Sequence, residues 1–325
     1  MRSLLRPLPS TLPRIPRRYY SLPNSGQSTP LMTVTDVAAP SSGRIRILSL
    51  TRPSARNAIS RQMLWELRSH IDAVAAEYNE EGEEKKQLQK SDGKGVTGAT
   101  RVLVLASDVD DCFCAGADLK ERAGFTADET NEFLAKLRDT FTTLSMLPIP
   151  TVSAVSSLAL GGGLELALCT TMRVLASTAQ IGLPETRLGI IPGAGGTYRL
   201  PALIGLGRAR DMILTGRRVS AAEAYFLGLA DRLVEVLPDE KIEEEKEQKK
   251  ELKKRANDEC LKQAVILAGQ ICEGGPIAVR AALKAVGWAR EDVENKMYEK
   301  VVDTNDRHEA LKAFREKRLP VFTGR

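Results

Sequence analysis

Aromatic side chains are scarce in this chain of 325 residues, at 5% Phe, Trp and Tyr together. Platforms that hold single-stranded nucleic acid need successive rings for bases to stack on, so that mode of binding is disfavoured. Histidine is scarcer still, with only His70 and His308. Five cysteines, at 112, 114, 169, 260 and 272, form no CxxC pair. Zinc-ligand spacing is therefore absent, no metal site is expected, and an odd number of thiols suits a reducing compartment. Cys112 and Cys114 flank Phe113 and read as packing positions. No apolar run approaches the roughly 20 residues that a membrane-spanning helix requires. With so little imidazole or paired thiol, acid–base chemistry falls to carboxylates.

Composition is otherwise that of a folded globular chain, 42% hydrophobic and 27% charged, long enough for one large core or two modest ones. The net charge of +5 is unevenly placed. Residues 1–20 carry Arg2, Arg6, Arg14, Arg17 and Arg18, and the first acidic residue is Asp36. An Arg-rich, Ser-containing, acid-free start reads as an organellar transit peptide, and RRYYSLP at 17–23 resembles a mitochondrial processing site cut near Tyr20 or Ser21. Without those five arginines the charge is near zero. The basic balance is thus an address label and poor support for a nucleic-acid partner.

Residues 21–40, rich in Ser, Pro and Thr, read as a linker. RIRILSL at 44–50 is a strand, followed by a turn and by a helix that Ser60 caps, with Met63, Leu64, Leu67, Ile71 and Val74 facing inward. The polar stretch 77–98 reads as an exposed insertion, and RVLVLASD at 101–108 as a buried strand. Thr126 and Glu129 form a capping box for a helix burying Phe133, Leu137, Phe141 and Leu144. TVSAVSSLAL at 151–160 is a strand running into three glycines, and a further capping box stands at Ser220 and Glu223. Residues 239–255 hold seven acidic and seven basic side chains, a solvated helix stitched by pairs such as Glu245 with Lys249 and Glu251 with Arg255. Strand and helix signals alternate, which argues for an α/β body with the site on strand-to-helix turns.

Two of those turns carry the chemistry. In FCAGADLKE (113–121) the N–H of Ala117 lies where a helix begins, and in LALGGGLEL (158–166) the N–H of Gly162 does the same. Helix starts present unpaired amides at the positive end of the dipole. Two such amides converging on one oxygen form an oxyanion hole, worth roughly 3–4 kcal/mol per donor. Glu165 follows the second turn, and Glu185 stands twenty residues further on in GLPETRLG. Two carboxyl groups held apart perform acid and base work on one substrate, provided that one has a raised pKa. An apolar pocket about Leu158, Leu164 and Ile181 is expected to raise it.

AGADLKE, GGGLELAL and GLPETRLGIIPGAGGT, in this order, resemble the enoyl-CoA hydratase/isomerase (crotonase) superfamily, over about residues 44–325. Within it, ADLKER and GLELAL are most similar to the mitochondrial methylglutaconyl-CoA hydratases, also called AU-binding proteins. The resemblance implies an α/β fold, a crotonase (ClpP-like) spiral of ββα units over 41–238. It implies a helical trimerisation region over 239–325, with the charged insertion at 239–255. It implies that Ala117 and Gly162 polarise a CoA thioester carbonyl, that Glu165 deprotonates the attacking water, and that Glu185 delivers a proton to the α-carbon. CoA contacts are implied at Ala55, Arg56 and Ala58, and at Ala115, Ala117, Asp118, Leu119 and Lys120. Gly161, Gly162 and Lys317 complete that set, Lys317 by reaching the CoA of an adjacent subunit. The chain departs from the family pattern at Ser156–Ser157, at Thr170–Thr171 and at Tyr198 in GGTYRL.

The expectation is a hydratase of the mitochondrial matrix acting on a short 2-enoyl-CoA, preferably 3-methylglutaconyl-CoA in leucine breakdown. It needs no cofactor beyond the CoA of its substrate, and it assembles as a trimer or a dimer of trimers. The alternatives are a general short-chain enoyl-CoA hydratase of β-oxidation and, in another class, an AU-rich RNA-binding protein.

Overall fold

Short apolar strands alternating with amphipathic helices produce two sheets that share one core. The computed structural model describes residues 29–85, 98–239, 242 and 244–325; the transit-peptide reading of 1–20 lies outside them. The chain begins with β1 (Met32–Ala38) and β2 (Arg44–Leu50), an antiparallel pair, then α1 (Arg61–Ala75). Next come β3 (Thr100–Ser107), β4 (Cys112–Cys114), α2 (Leu119–Arg122) and α3 (Ala127–Ser145). The pattern repeats with β5 (Thr151–Val155), β6 (Leu158–Leu160) and α4 (Gly162–Ala167), then β7 (Met172–Ala176) and β8 (Gln180–Gly182). After α5 (Gly196–Ile204), α6 (Leu206–Thr215), β9 (Arg218–Ser220), α7 (Ala221–Phe226) and β10 (Arg232–Val234), the rest is helical. Those helices are α8 (Glu245–Cys272), α9 (Pro276–Trp288), α10 (Glu291–Val302) and α11 (Asn305–Glu316).

Each repeat sends its first strand to a six-stranded sheet, ordered β1-β2-β3-β5-β7-β10, and its second to a four-stranded sheet, ordered β4-β6-β8-β9. Strands β2 through β10 of the large sheet pair in parallel, as do β4, β6 and β8. This winding is the spiral expected from the sequence. Strand β3 shows how the layers are filled. Successive side chains of a strand point to opposite faces. Leu103 and Leu105 join the core between the sheets, while Val102, Val104 and Ala106 join a second cluster beneath α8. Helix α8 offers Ala256, Cys260, Ala264 and Ala268 at steps of four, a small-residue stripe that lets it lie close on the sheet.

The predicted caps form. Ser60 accepts from the Met63 N–H, Thr126 and Glu129 close their capping box, and Ser220 accepts from the Glu223 N–H. Cys112 and Cys114 are buried, as packing positions should be. Three local readings change. Residues 32–38, inside the stretch read as a linker, form β1, because its register along β2 satisfies a polar edge strand. The 77–98 insertion is not exposed at its start. Tyr78 is fully buried with its hydroxyl donating to the Thr100 carbonyl, and Glu77 accepts from the Thr100 N–H and pairs with Arg44. Residues 151–160 are two strands rather than one. The chain changes sheet at Ser156–Ser157, where the Ser156 hydroxyl donates to Asn257 of α8 and the Ser156 carbonyl accepts from Thr178.

Candidate active site

Strands β4 and β6 lie side by side in parallel, with Cys112 opposite Leu158 and Cys114 opposite Ala159. The turns that leave them must therefore also meet. Gly116, at φ +95°, makes this contact: a methyl group there would sit 2.8 Å from the Leu160 carbonyl oxygen and 3.1 Å from the Gly162 nitrogen. Gly163 packs tighter still, since a methyl group would fall 2.1 Å from the Cys114 carbonyl oxygen. The Ala117 nitrogen lies 3.5 Å from the point where Gly162 would carry a side chain.

Ala117 is bracketed by bonds to Ile59. The Ile59 N–H donates to the Gly116 carbonyl at 2.8 Å, and the Asp118 N–H donates to the Ile59 carbonyl at 3.1 Å. In such a bridge the intervening N–H turns the other way. Among the described residues neither the Ala117 nor the Gly162 N–H donates to another protein group. Asp118 holds the turn by capping α2 through the Lys120 and Glu121 amides, and it pairs with Arg52 at 2.7 Å. The result is two unspent amides at adjoining helix starts.

Glu165 lies one turn into α4, and helical side chains lean toward the N-terminus, which brings it over the glycine turn. It is 2% exposed. Its Oε1 accepts from the Ala194 and Gly196 N–H groups, both at 2.8 Å. Burial pushes this carboxyl above its ordinary value, the two amides pull it back, and the Arg199 and Arg138 guanidiniums add a weaker pull. Glu185 opens a short 3-10 turn, Glu185–Leu188, after Pro184, and is 8% exposed. Its Oε1 lies 3.0 Å from the point where Gly161 would carry a side chain, so it borders the same turn. Its Oε2 is buried and has no hydrogen-bond partner among the described residues. Burial drives it up to about 7 even though its own backbone N–H pulls it down, and the nearby Glu165 charge adds to the rise. The two carboxyls have unlike environments. One is amide-held, the other is kept poorly solvated.

Of the expected CoA contacts, the 55–58 and 115–120 segments run together, with the Ala115 N–H donating to the Arg56 carbonyl at 3.0 Å. Arg56, Ala115, Leu119 and Lys120 are exposed, while Ala58 and Asp118 are buried. Gly161 lies at the centre, its N–H donating to the Gly182 carbonyl. Lys317 stands apart, as the left-handed C-cap of α11. Of the three side chains expected about the carboxyls, Leu164 and Ile181 are buried and Leu158 is half-exposed. Sequence reasoning missed the Ala194 and Gly196 amides. The GAGG run at 193–196 is the signal that could have found them, since close amide approach to a carboxylate favours small residues. Arg199 also lines a cleft of about 1520 Å3 running past Leu168, Cys169, Trp288 and Arg325, and neither glutamate lines that cleft.

Residues 96–325 match the enoyl-CoA hydratase/isomerase family, and the chain belongs to that family. It is 61% identical to "Methylglutaconyl-CoA hydratase 1, mitochondrial" of Pyricularia oryzae, over 95% of this chain and 90% of that protein. It is 36% identical to "Methylglutaconyl-CoA hydratase, mitochondrial" of mouse, over 86% of this chain and 80% of that protein. Among solved structures it resembles an enoyl-CoA hydratase from Bacillus anthracis, with a TM-score of 0.72 and 35% identity. That likeness spans 90% of this chain and 99% of the bacterial one.

Proposed function

We propose that this protein hydrates a short 2-enoyl-CoA thioester, with 3-methylglutaconyl-CoA as the preferred substrate and 3-hydroxy-3-methylglutaryl-CoA as the product. The observation that carries this reading is the pair of buried glutamates in unlike environments beside the free amides of Ala117 and Gly162. The thioester oxygen sits between those amides, where developing negative charge is stabilised most. Glu165, held by two N–H groups, takes a proton from water as its oxygen attacks the β-carbon. The electron pair of the double bond moves onto the thioester oxygen as an enolate. Glu185, protonated near neutral pH, gives its proton to the α-carbon, and the thioester carbonyl re-forms. One water has been added, and the two carboxyls exchange protons with solvent to reset. The roles reverse for dehydration.

The chemistry uses neither a redox cofactor nor a metal, and CoA enters as part of the substrate. Contacts to it fall to Ala55, Arg56, Ala58, Ala115, Ala117, Asp118, Leu119, Lys120, Gly161 and Gly162, with Lys317 reaching from an adjacent subunit of a trimer or a dimer of trimers. Leucine catabolism in the mitochondrial matrix is the setting, supported by the mitochondrial names of the relatives and by the Arg-rich start of the chain. The charged α8 segment favours no RNA arm, because cations such as Lys249 and Lys262 pair with Glu245 and Glu259 of their own helix. Rates with 3-methylglutaconyl-CoA and with crotonyl-CoA test the substrate. A clear preference for 3-methylglutaconyl-CoA is expected, and a strong preference for crotonyl-CoA overturns the choice.

A further inference from the structure

The two peptide groups that hold Glu165 are themselves held from behind. The Ala194 N–H belongs to the same peptide unit as the Gly193 carbonyl, and that carbonyl accepts from Arg138 Nε at 2.7 Å. The Gly196 N–H shares its peptide unit with the Gly195 carbonyl, which accepts from the Arg199 backbone N–H at 2.9 Å, in the first turn of α5. Between them, the Ala194 carbonyl accepts from Arg199 Nη1 at 2.9 Å. A hydrogen bond received at a carbonyl polarises the N–H of the same amide, strengthening its own bond by about 10–30%. The Arg199 guanidinium is fixed in turn by the Tyr198 ring, whose centroid lies 4.8 Å away. Tyr198 is one of the positions at which this chain departs from the family pattern, and this contact gives it a role.

We infer that Arg138 and Arg199 are positioning residues that brace the 193–196 turn so that its two amides keep Glu165 aimed and ionised. The inference rests on the reading of Glu165 as the base. Four groups bear on its charge. Arg138 comes from α3, Arg199 from α5, Glu185 from its 3-10 turn and Cys169 from the turn just after α4. Burial pushes the Cys169 thiol up to about 12, so it stays neutral in the working range. Glu185, raised to about 7, is the proposed acid, so loss of its proton shapes the other limb of the rate profile. The acid limb of the rate profile then reports Glu165 and its two guanidiniums.

The test is the pH dependence of hydration by Arg138→Gln, Arg199→Gln, the corresponding Lys variants and Glu165→Gln, with crotonyl-CoA or 3-methylglutaconyl-CoA, whichever the wild type turns over faster. Each Gln variant is expected to lose about ten-fold in kcat with KM within about two-fold, since the brace acts on the proton transfer rather than on binding. The acid limb moves upward by about half to one pH unit, because a carboxylate that loses cationic support holds its proton longer. Arg138→Lys recovers part of the rate, as an ammonium still donates to a carbonyl, while Arg199→Lys, which loses the planar stack on Tyr198, recovers less. Arg138 is exposed, so its replacement leaves folding intact and decides the matter even where Arg199→Gln does not fold. An unchanged acid limb and kcat in Arg138→Gln overturns the brace while leaving the base reading in place if Glu165→Gln is inactive. Full activity in Glu165→Gln removes the base reading beneath it.

Discussion

Replacing Glu185 by Gln separates the cost of this residue from its use. The folded protein raises its carboxyl from the ordinary 4.5 to about 7. At 1.36 kcal/mol per pH unit, the folded state disfavours the ionised form by on the order of 3 kcal/mol. The folded pKa is the higher one, so between pH 4.5 and about 7 the folded protein holds a proton that the unfolded chain has released. Stability from this group is full below 4.5, declines as pH rises through that window and is lost above about 7. Gln keeps the shape and does not titrate. Glu185→Gln should therefore be more stable than wild type at alkaline pH, by up to ~3 kcal/mol, with the advantage shrinking steadily toward pH 4.5. Urea unfolding of both proteins at several pH values measures it. A difference that is independent of pH, or a variant less stable under alkaline conditions, refutes the argument that burial sets this carboxyl's proton.

Other substitutions probe the turns. Gly163→Ala forces a methyl group to within 2.1 Å of the Cys114 carbonyl oxygen, so soluble yield or unfolding midpoint should fall steeply, by more than ~3 kcal/mol where it can be measured. Gly116→Ala combines a left-handed φ of +95° with contacts to the Leu160 oxygen and the Gly162 nitrogen. It should separate the two amides and cut hydration by about a hundred-fold or more, with circular dichroism retained. Asp118→Ala removes the α2 cap and the Arg52 pair, for a loss of about 1–2 kcal/mol in chemical denaturation.

Much of the site was legible because the residues that form it are local signals. AGADLKE and GGGLELAL each announce a strand, a tight turn and a helix start, and both turns form where expected. Their approach to one another was not local. It depends on β4 lying beside β6, a pairing that the sequence does not display. The amides behind Glu165 were hidden for the same reason, since Ala194 and Gly196 are about thirty residues away and carry no polar side chain. Residues 151–160 read as one strand because both halves are apolar. Periodicity cannot tell that the chain steps between sheets at two serines. Strand β1 was masked by polar alternation typical of an edge, and Tyr78 by its charged neighbours.

The proposed hydration needs both glutamates, one as base and one as acid. Steady-state hydration of 3-methylglutaconyl-CoA by wild type, Glu165→Gln and Glu185→Gln tests it most directly, with folding of each variant checked in parallel. A fall in kcat of about a hundred-fold or more is expected in either variant, with substrate still bound. Full activity in either one contradicts it.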